Sequence, residues 1–109
     1  MRSEFERRAV SRDLLARLYM AYCPIPDIDG FVERAGQLFP RLNCGLCSVY
    51  LAHVLGAGTA ARGRYGGVNH TFLSLGGDGI VDITADQFGG PRVYVGPLRQ
   101  PWWRGRARP

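Results

Sequence analysis

The hydrophobic pattern of this chain changes its period once, near residue 56, and that change limits the folds open to it. Before it, apolar residues recur at helical spacing, as Val10, Leu14 and Leu18 do in the first segment. After it, "VNHTFLSL" and "GIVDIT" read as strands in which alternate residues are apolar. Helices first and strands afterwards predict an α+β fold, with N-terminal helices packed on a small antiparallel β-sheet.

Three helices are predicted in the first half. The first runs from about Glu4 to Tyr22, with a capping box that begins at Ser3. A short second helix is capped by Asp29 and ended by Pro40. The third, Cys44–Leu55, has no charged residue on any face, which is typical of a central helix covered by other elements.

The second half is predicted to be a sheet. The strands "VNHTFLSL" and "GIVDIT", joined by "GGDG", form an antiparallel hairpin, and "RVYVG" is a third short strand. The glycine-rich, basic segment "GAGTAARGRYGG" before them is predicted to be a mobile loop. In the proline- and arginine-rich tail, Trp102 and Trp103 are expected to cover part of the core, with the last residues loose.

With 109 residues, the chain is expected to form a single domain, 1–109. Within it we distinguish a helical part at 1–40, the buried helix at 41–56, the sheet at 66–96 and the basic tail at 97–109. The net charge is +5 and all of the lysine and arginine positions are arginines, which would suit nucleic acid, but no recognition motif accompanies the charge. We therefore interpret the charge chiefly as a balance for solubility and keep a nucleic-acid partner as an alternative.

Composition also bears on the cellular compartment. The longest uncharged run, Leu42 to Ala61, contains Asn43, His53 and several glycines, so no membrane association is expected. The charged N-terminus lacks the apolar core of a signal peptide. Three cysteines, an odd number, argue against a disulfide framework and for a reducing compartment. These features predict a cytoplasmic protein, or one delivered to its target as an effector.

Cys44 and two later residues form the candidate site. Cys44 lies at the start of the third helix, where unpaired N–H groups and the helix dipole lower the pKa of a thiol, while Cys47 lies one turn further in. A nucleophilic thiol also needs a base and a group that orients the base. His70 on one strand and Asp82 on the next supply these two roles.

The geometry of this triad depends on the register of the hairpin. If Phe72 pairs with Asp82, then His70 is a diagonal neighbour of Asp82 on the same face of the sheet. That pairing requires an odd number of loop residues, or a bulge, around "GGDG". A two-residue loop would turn His70 and Asp82 to opposite faces.

The order of cysteine, histidine and aspartate resembles that of papain-like and transglutaminase-like thiol enzymes. "CGLCSVYLAHVLG", "NHTFL" and "VDITADQF" are similar to small bacterial and phage-associated members, over roughly residues 43–96. The resemblance implies a minimal papain-like core with Cys44 as nucleophile, followed by Ser48 and Leu51, and with His70 as base and Asp82 as orienting group. It implies a peptidase, amidase, glutamine deamidase or transglutaminase-like activity on a protein or peptide, with no cofactor and no metal.

The resemblance leaves some roles open. "CGLCS" is also similar to the papain run "CGSCW", in which the second cysteine is the nucleophile, so Cys47 is the alternative. Papain-like enzymes use a glutamine before the nucleophile to stabilise the oxyanion, which makes Gln37 a candidate. The backbone N–H of Cys44 or Gly45 is a further candidate for that role, and Gln87 is expected to cap a turn or line the site.

Two other functions compete with this hypothesis. Cys44, Cys47, His53 and His70 include a zinc half-motif, but no second compact pair of ligands accompanies it. We favour a core position for His53 and structural roles for Cys23 and Cys47. The stronger alternative is a non-catalytic binding module whose basic surface binds nucleic acid or an acidic protein.

Overall fold

The computed structural model describes residues 2–105 of the chain. In that range, four helices pack against a curled, five-stranded antiparallel sheet, so the predicted α+β class is confirmed. The helices are α1 (Arg2–Glu6), α2 (Arg12–Tyr22), α3 (Ile28–Leu38) and α4 (Cys44–Leu55). The strands are β1 (Thr59–Tyr65), β2 (Val68–Ser74), β3 (Gly79–Asp82), β4 (Tyr94–Pro97) and β5 (Trp102–Arg104), and a 3-10 helix spans Ala85–Phe88. Across the sheet the strands are ordered β4-β3-β2-β1-β5.

The first predicted helix is wrong as a single element, because the chain breaks between α1 and α2. Arg8 has a φ of 55°, a left-handed conformation that no helix continues through. Ser11 then caps α2 by accepting a hydrogen bond from the N–H of Leu14 at 3.3 Å. The break lets Phe5 turn into the core, where it is 5% exposed.

The second predicted helix is confirmed with different ends. Its cap is Asp27, which accepts a hydrogen bond from the N–H of Gly30 at 3.2 Å, and Asp29 lies inside the first turn. The helix ends at Leu38, two residues before Pro40, whose ring cannot continue it. Either aspartate could serve as a cap by its chemistry, and the sequence does not separate them.

The third predicted helix has the bounds of α4, but it is covered over only part of its length. Residues Gly45–Leu51 are buried, whereas His53, Val54 and Leu55 are exposed, so the expected core position of His53 is wrong. α4 is the longest helix in residues 2–105, and no helix there has the length and hydropathy needed to span a bilayer.

Asn43 fixes the start of α4, although its side chain makes no capping hydrogen bond. Its Nδ2 donates to the carbonyl of Ala35 at 2.8 Å and to that of Arg41 at 2.7 Å. Asn43 is 2% exposed, so both bonds are shielded from water. They tie the end of α3 to the first turn of α4 and so hold Cys44 in place.

The segment "GAGTAARGRYGG", predicted to be a mobile loop, contributes β1 to the interior of the sheet. β1 pairs with β2 along its whole length and with β5 at its end. A Cβ on Gly63 would lie 2.3 Å from the carbonyl oxygen of Trp103 and 2.7 Å from the Phe72 ring, so only glycine fits there. Small residues and arginines concealed this strand in the sequence.

The hairpin of β2 and β3 has the register that the candidate site requires. Leu73 pairs with Val81 and Ser74 with Ile80, and the next position sets Phe72 opposite Asp82. The N–H of Leu75 donates to the carbonyl of Gly79 at 2.9 Å, which leaves residues 76–78 as the loop. The loop has an odd number of residues, so the pairing on which the triad depends is present, and His70 and Asp82 share a face.

The sheet also extends into the segment predicted to be a tail. The third predicted strand, 92–96, is observed as β4 and begins two residues later than expected. Trp102 in β5 is 5% exposed and covers part of the core as predicted, whereas Trp103 is 38% exposed. Residues 106–109, predicted to be loose, lie outside the described residues.

Candidate active site

Asp82, the last residue of β3, accepts four hydrogen bonds although its side chain is only 1% exposed. Oδ2 accepts from Nε2 of His70 at 2.6 Å and from Nε1 of Trp102 at 2.8 Å. Oδ1 accepts from the backbone N–H of Thr84 at 2.9 Å and from its hydroxyl at 3.3 Å. Burial acts to raise the pKa of Asp82, but these hydrogen bonds, led by that of His70, lower it. The carboxylate is therefore ionised and fixed in orientation.

The imidazole of His70 is enclosed by aromatic rings. The Phe88 ring meets it edge to face with centroids 5.1 Å apart, and the rings of Phe72 and Tyr65 lie at 6.2 and 6.4 Å. Nε2 is occupied by Asp82. Nδ1 is buried and makes no hydrogen bond of standard geometry with any group of residues 2–105.

Two charged neighbours raise the pKa of His70. Burial alone would lower it, but the hydrogen bond to Asp82 and then the interaction with Cys44 outweigh burial and raise the pKa of His70 to about 9. The His70 and Cys44 side chains are thus close enough to stabilise each other's charged form. The contact does not have the geometry of a standard hydrogen bond.

Cys44 is the first residue of α4 and is half-buried. Burial acts to raise the pKa of the thiol, but interaction with His70, followed by the backbone of Thr71 and of Gly45, lowers it overall. These interactions therefore shift the pair towards a Cys44 thiolate beside a His70 imidazolium. Such a pair holds a nucleophile and a proton donor in adjacent positions.

The other two cysteines lie in different surroundings. Cys47 is 2% exposed within the helix-side core, and burial raises its pKa well above that of an ordinary thiol. The thiolate form of Cys47 is therefore strongly disfavoured. Cys23 ends α2, where its N–H donates to the carbonyl of Tyr19 at 2.7 Å.

The structure does not bring Gln37 to the site. Gln37 is exposed on α3, where its Nε2 donates to Glu33 at 3.4 Å, so its oxyanion role stays a prediction without structural support. Gln87 is half-buried in the 3-10 helix and its Nε2 donates to the carbonyl of Thr84 at 3.0 Å, which supports the turn that holds Asp82. Gly45 is buried directly after Cys44.

The backbone N–H groups at the start of α4 are the remaining candidates for stabilising an oxyanion. The first intrahelical bond of α4 runs from the N–H of Cys47 to the carbonyl of Asn43. The N–H groups before it have no carbonyl partner within the helix. The N–H of Cys44 or of Gly45 therefore suits the negative oxygen of a tetrahedral intermediate.

The alternative zinc site is not assembled. His53 is exposed near the far end of α4, away from the first turn that carries Cys44. Within residues 2–105, no three side chains of His, Cys, Asp or Glu are grouped as metal ligands.

A cavity of about 400 Å³ opens beside Cys44, between the helices and the sheet. α2, α3 and the first turn of α4 form one wall, and β1 and β2 form the other. The side chains and backbone that line it belong to Tyr19, Tyr22, Cys23, Phe31, Leu42, Cys44, Gly45, Arg62, Asn69 and Thr71. A substrate that enters this cavity reaches the candidate nucleophile.

The sequence did not single out two groups that hold the site. Thr84 closes a turn on Asp82 through the backbone N–H two residues on, and "DIT" carries that signal locally. Trp102 was expected only to cover the core, yet it donates to Asp82 from twenty residues away. Only pairing of β5 with β1 brings Trp102 there, and no local pattern indicates that pairing.

Comparison of the chain with models of protein families, with curated protein sequences and with solved structures found no match.

Proposed function

We propose that this protein is a cysteine-dependent enzyme that breaks an amide or related acyl bond, as an amide hydrolase or an acyl transferase of papain-like type. The observation that carries the proposal is that His70 interacts with Asp82 and with Cys44 at the same time. Nε2 is bound to the buried Asp82 carboxylate, and the ring shares a charge interaction with Cys44, whose pKa is lowered. A buried thiol in an apolar core needs none of these groups.

The first step follows from the protonation states. The Cys44 thiolate attacks the carbonyl carbon of the substrate, and the carbonyl oxygen becomes an oxyanion near the first N–H groups of α4. The tetrahedral intermediate then breaks its carbon–nitrogen bond. The leaving amine takes the proton from the His70 imidazolium, and a thioester to Cys44 remains.

The second step regenerates the thiolate. Neutral His70 removes a proton from water, and the resulting hydroxide attacks the thioester carbonyl and releases a carboxylic acid. An amine in place of water gives a new amide by the same route. The Asp82 carboxylate accepts a hydrogen bond from Nε2 in both steps, so it keeps the imidazole oriented and stabilises the imidazolium.

The charge of the surface gives the alternative binding module less support. Several arginines already pair with carboxylates, which leaves less unpaired positive charge for nucleic acid. These are Arg2, Arg8, Arg12, Arg34, Arg92 and Arg104.

Alkylation with iodoacetamide tests the proposal. We expect Cys44 to react at least roughly tenfold faster than Cys23 or Cys47, with a pH midpoint below the ordinary thiol value of about 8.5. The rate rises with pH as the thiol ionises, so a lowered pKa moves the rise to lower pH. Peptide mass spectrometry after timed quenching measures the three rates separately.

Two histidine variants make the matched control. His70→Asn removes the cation beside Cys44, so we expect the midpoint to rise and the rate near neutral pH to fall by about tenfold or more. His53→Asn changes an exposed histidine on α4, the helix that carries Cys44, and should leave the pH profile of alkylation unchanged. Equal, slow labelling of all three cysteines, together with salt-sensitive binding of nucleic acid, would establish the binding module instead.

A further inference from the structure

The residues that line the cavity beside Cys44 favour one class of ligand, which the proposed reaction does not specify. Three aromatic rings form its helical wall. Tyr19 lies 5.1 Å from Phe31 and 5.7 Å from Tyr22 between ring centroids, so the rings make one continuous surface. Leu42 extends this surface and is 44% exposed. An apolar or aromatic group is the natural occupant of such a wall.

Arg62 stands on the opposite side of the cavity, on β1. Its Nε donates to the Tyr22 hydroxyl at 3.2 Å, and its guanidinium carbon lies 5.4 Å from the centroid of the Tyr22 ring. These contacts hold the exposed side chain over the cavity. Because these contacts already restrict the guanidinium, less conformational entropy is lost when it binds an anion.

Within residues 2–105, the positive charge of Arg62 has no carboxylate partner. No carboxylate of residues 2–105 forms an ion pair with it, in contrast to the six paired arginines described above. The residues that line the cavity include no aspartate or glutamate. Its terminal amino groups therefore present hydrogen-bond donors whose geometry fits a carboxylate.

We propose that this cavity binds the acyl part of the substrate and selects an apolar or aromatic body that carries a carboxylate. The apolar body lies on the rings of Tyr19, Tyr22 and Phe31, the carboxylate binds Arg62, and the scissile carbonyl reaches Cys44. The inference rests on the proposed function and specifies its substrate class. The carboxylate is either the end of a peptide chain or an acidic side chain, and both present the same group to Arg62.

Two alkylating reagents of the same shape test the preference. N-iodoacetyl-4-aminobenzoate carries an aromatic ring and a distal carboxylate, and N-iodoacetyl-4-aminobenzamide carries a neutral amide in that position. We expect the carboxylate reagent to alkylate Cys44 roughly tenfold faster at subsaturating concentration, since a single charge-assisted pair is worth about that factor. The rates are measured by mass spectrometry on the full chain at low ionic strength.

Variants of Arg62 test whether its guanidinium causes the faster reaction of the carboxylate reagent. Arg62→Gln should bring the ratio of the two rates close to one, and Arg62→Lys should retain part of it, because a single ammonium replaces the planar fork. Arg17→Gln removes the same charge from the exposed face of α2 and should leave the ratio unchanged. Arg62 is exposed, so its replacement leaves the core intact, which far-UV circular dichroism verifies.

The outcomes separate this inference from the proposed function. Rapid alkylation of Cys44 by both reagents at equal rates, or a preference that survives in Arg62→Gln, overturns the inference and leaves the thiol enzyme standing. Slow alkylation of Cys44 by both reagents overturns the two together.

A second pair of reagents identifies the origin of the carboxylate. Iodoacetyl-phenylalanine has a chain-terminal carboxylate. Iodoacetyl-phenylalanyl-glutamic acid α-amide has a free carboxylate only on its side chain. Each is compared with neutral iodoacetyl-phenylalanine amide. Arg62-dependent acceleration of either reagent supports the inference and names the source, and acceleration of neither contradicts it.

Discussion

Cys44 and Cys47 lie one turn apart on α4, and their surroundings shift the two thiol pKa values in opposite directions. Both thiols are largely removed from water, so burial opposes ionisation at each of them. Cys44 also meets His70 and backbone groups that stabilise a negative charge, whereas Cys47 meets chiefly apolar side chains. The direction of each pKa shift thus depends on the groups that face the thiol, more than on the position of the cysteine in the helix.

The largest expected effect comes from removing the acid that supports His70. Asp82→Ala leaves a buried imidazole without its partner, and we expect the free energy of unfolding to fall by about 3–5 kcal/mol. In the folded variant, the pKa of Cys44 should rise, because the neighbouring imidazolium is no longer stabilised. Urea unfolding and the pH profile of alkylation measure the two effects.

Asp78→Ala is the matched control for that change. Asp78 lies in the loop of the same hairpin, and its side chain is 83% exposed. Its replacement should leave both the stability and the alkylation profile close to those of the unmodified protein. If Asp82→Ala behaves in the same way as Asp78→Ala, the carboxylate does not support the thiol and the contrast between the two cysteines has another cause.

A smaller effect is expected from the second donor to the same carboxylate. Trp102→Phe keeps a ring in the stack against Tyr94, where the centroids are 4.1 Å apart, and removes the N–H that binds Asp82. Loss of a hydrogen bond to a charged group should cost about 1.5–3 kcal/mol of stability. Because the His70–Asp82 bond persists, the alkylation midpoint of Cys44 should stay below the ordinary thiol value. A midpoint as high as that of Asp82→Ala would show that Trp102 is indispensable for orientation.

Cys47→Ser tests the role of the buried thiol of the pair. A hydroxyl in the apolar core should cost roughly 1–3 kcal/mol of stability. The rate of Cys44 alkylation in the folded variant should not change, because His70 and Asp82 are untouched. Cys23→Ser, at the half-buried end of α2, is the control and should have little effect on either measurement. A marked loss of Cys44 reactivity in Cys47→Ser would mean that the two thiols are coupled.

The smallest effect is expected at Gln37. The side chain is exposed on α3 and donates a hydrogen bond to Glu33, so Gln37→Ala should change the free energy of unfolding by less than about 0.5 kcal/mol. Activity towards any acyl substrate should be retained. A large loss of activity with normal stability would support the predicted oxyanion role of Gln37.

Much of the candidate site followed from patterns that are local in the sequence. The uncharged run after Asn43 predicted α4. The alternating pattern predicted the hairpin, but it left open whether the loop has the odd length that places His70 and Asp82 on one face. The residue types and their order along the chain were enough to select the three side chains. Their catalytic roles stay a prediction.

What the sequence did not reveal depends on contacts between distant segments. β1 is built from small residues and arginines that give no strand signal, and it is held by pairing with β2 and β5. Gln37 was chosen by analogy with a spacing in other enzymes, but α3 turns it to solvent. Arg62 became a candidate only when β1 brought it across the cavity from Tyr22.

The number of residues in the loop at 76–78 decides which face of the sheet the Asp82 side chain occupies. Deleting one of its residues and keeping the strands paired would shift β3 by one position. The carboxylate of Asp82 would then point to the side of the sheet where Leu73 and Val81 meet the helices, and the imidazole would lose its acid. Gly76 and Gly77 also have positive φ angles of 91° and 52°, which L side chains rarely adopt, so the backbone of this loop limits its sequence as well as its length.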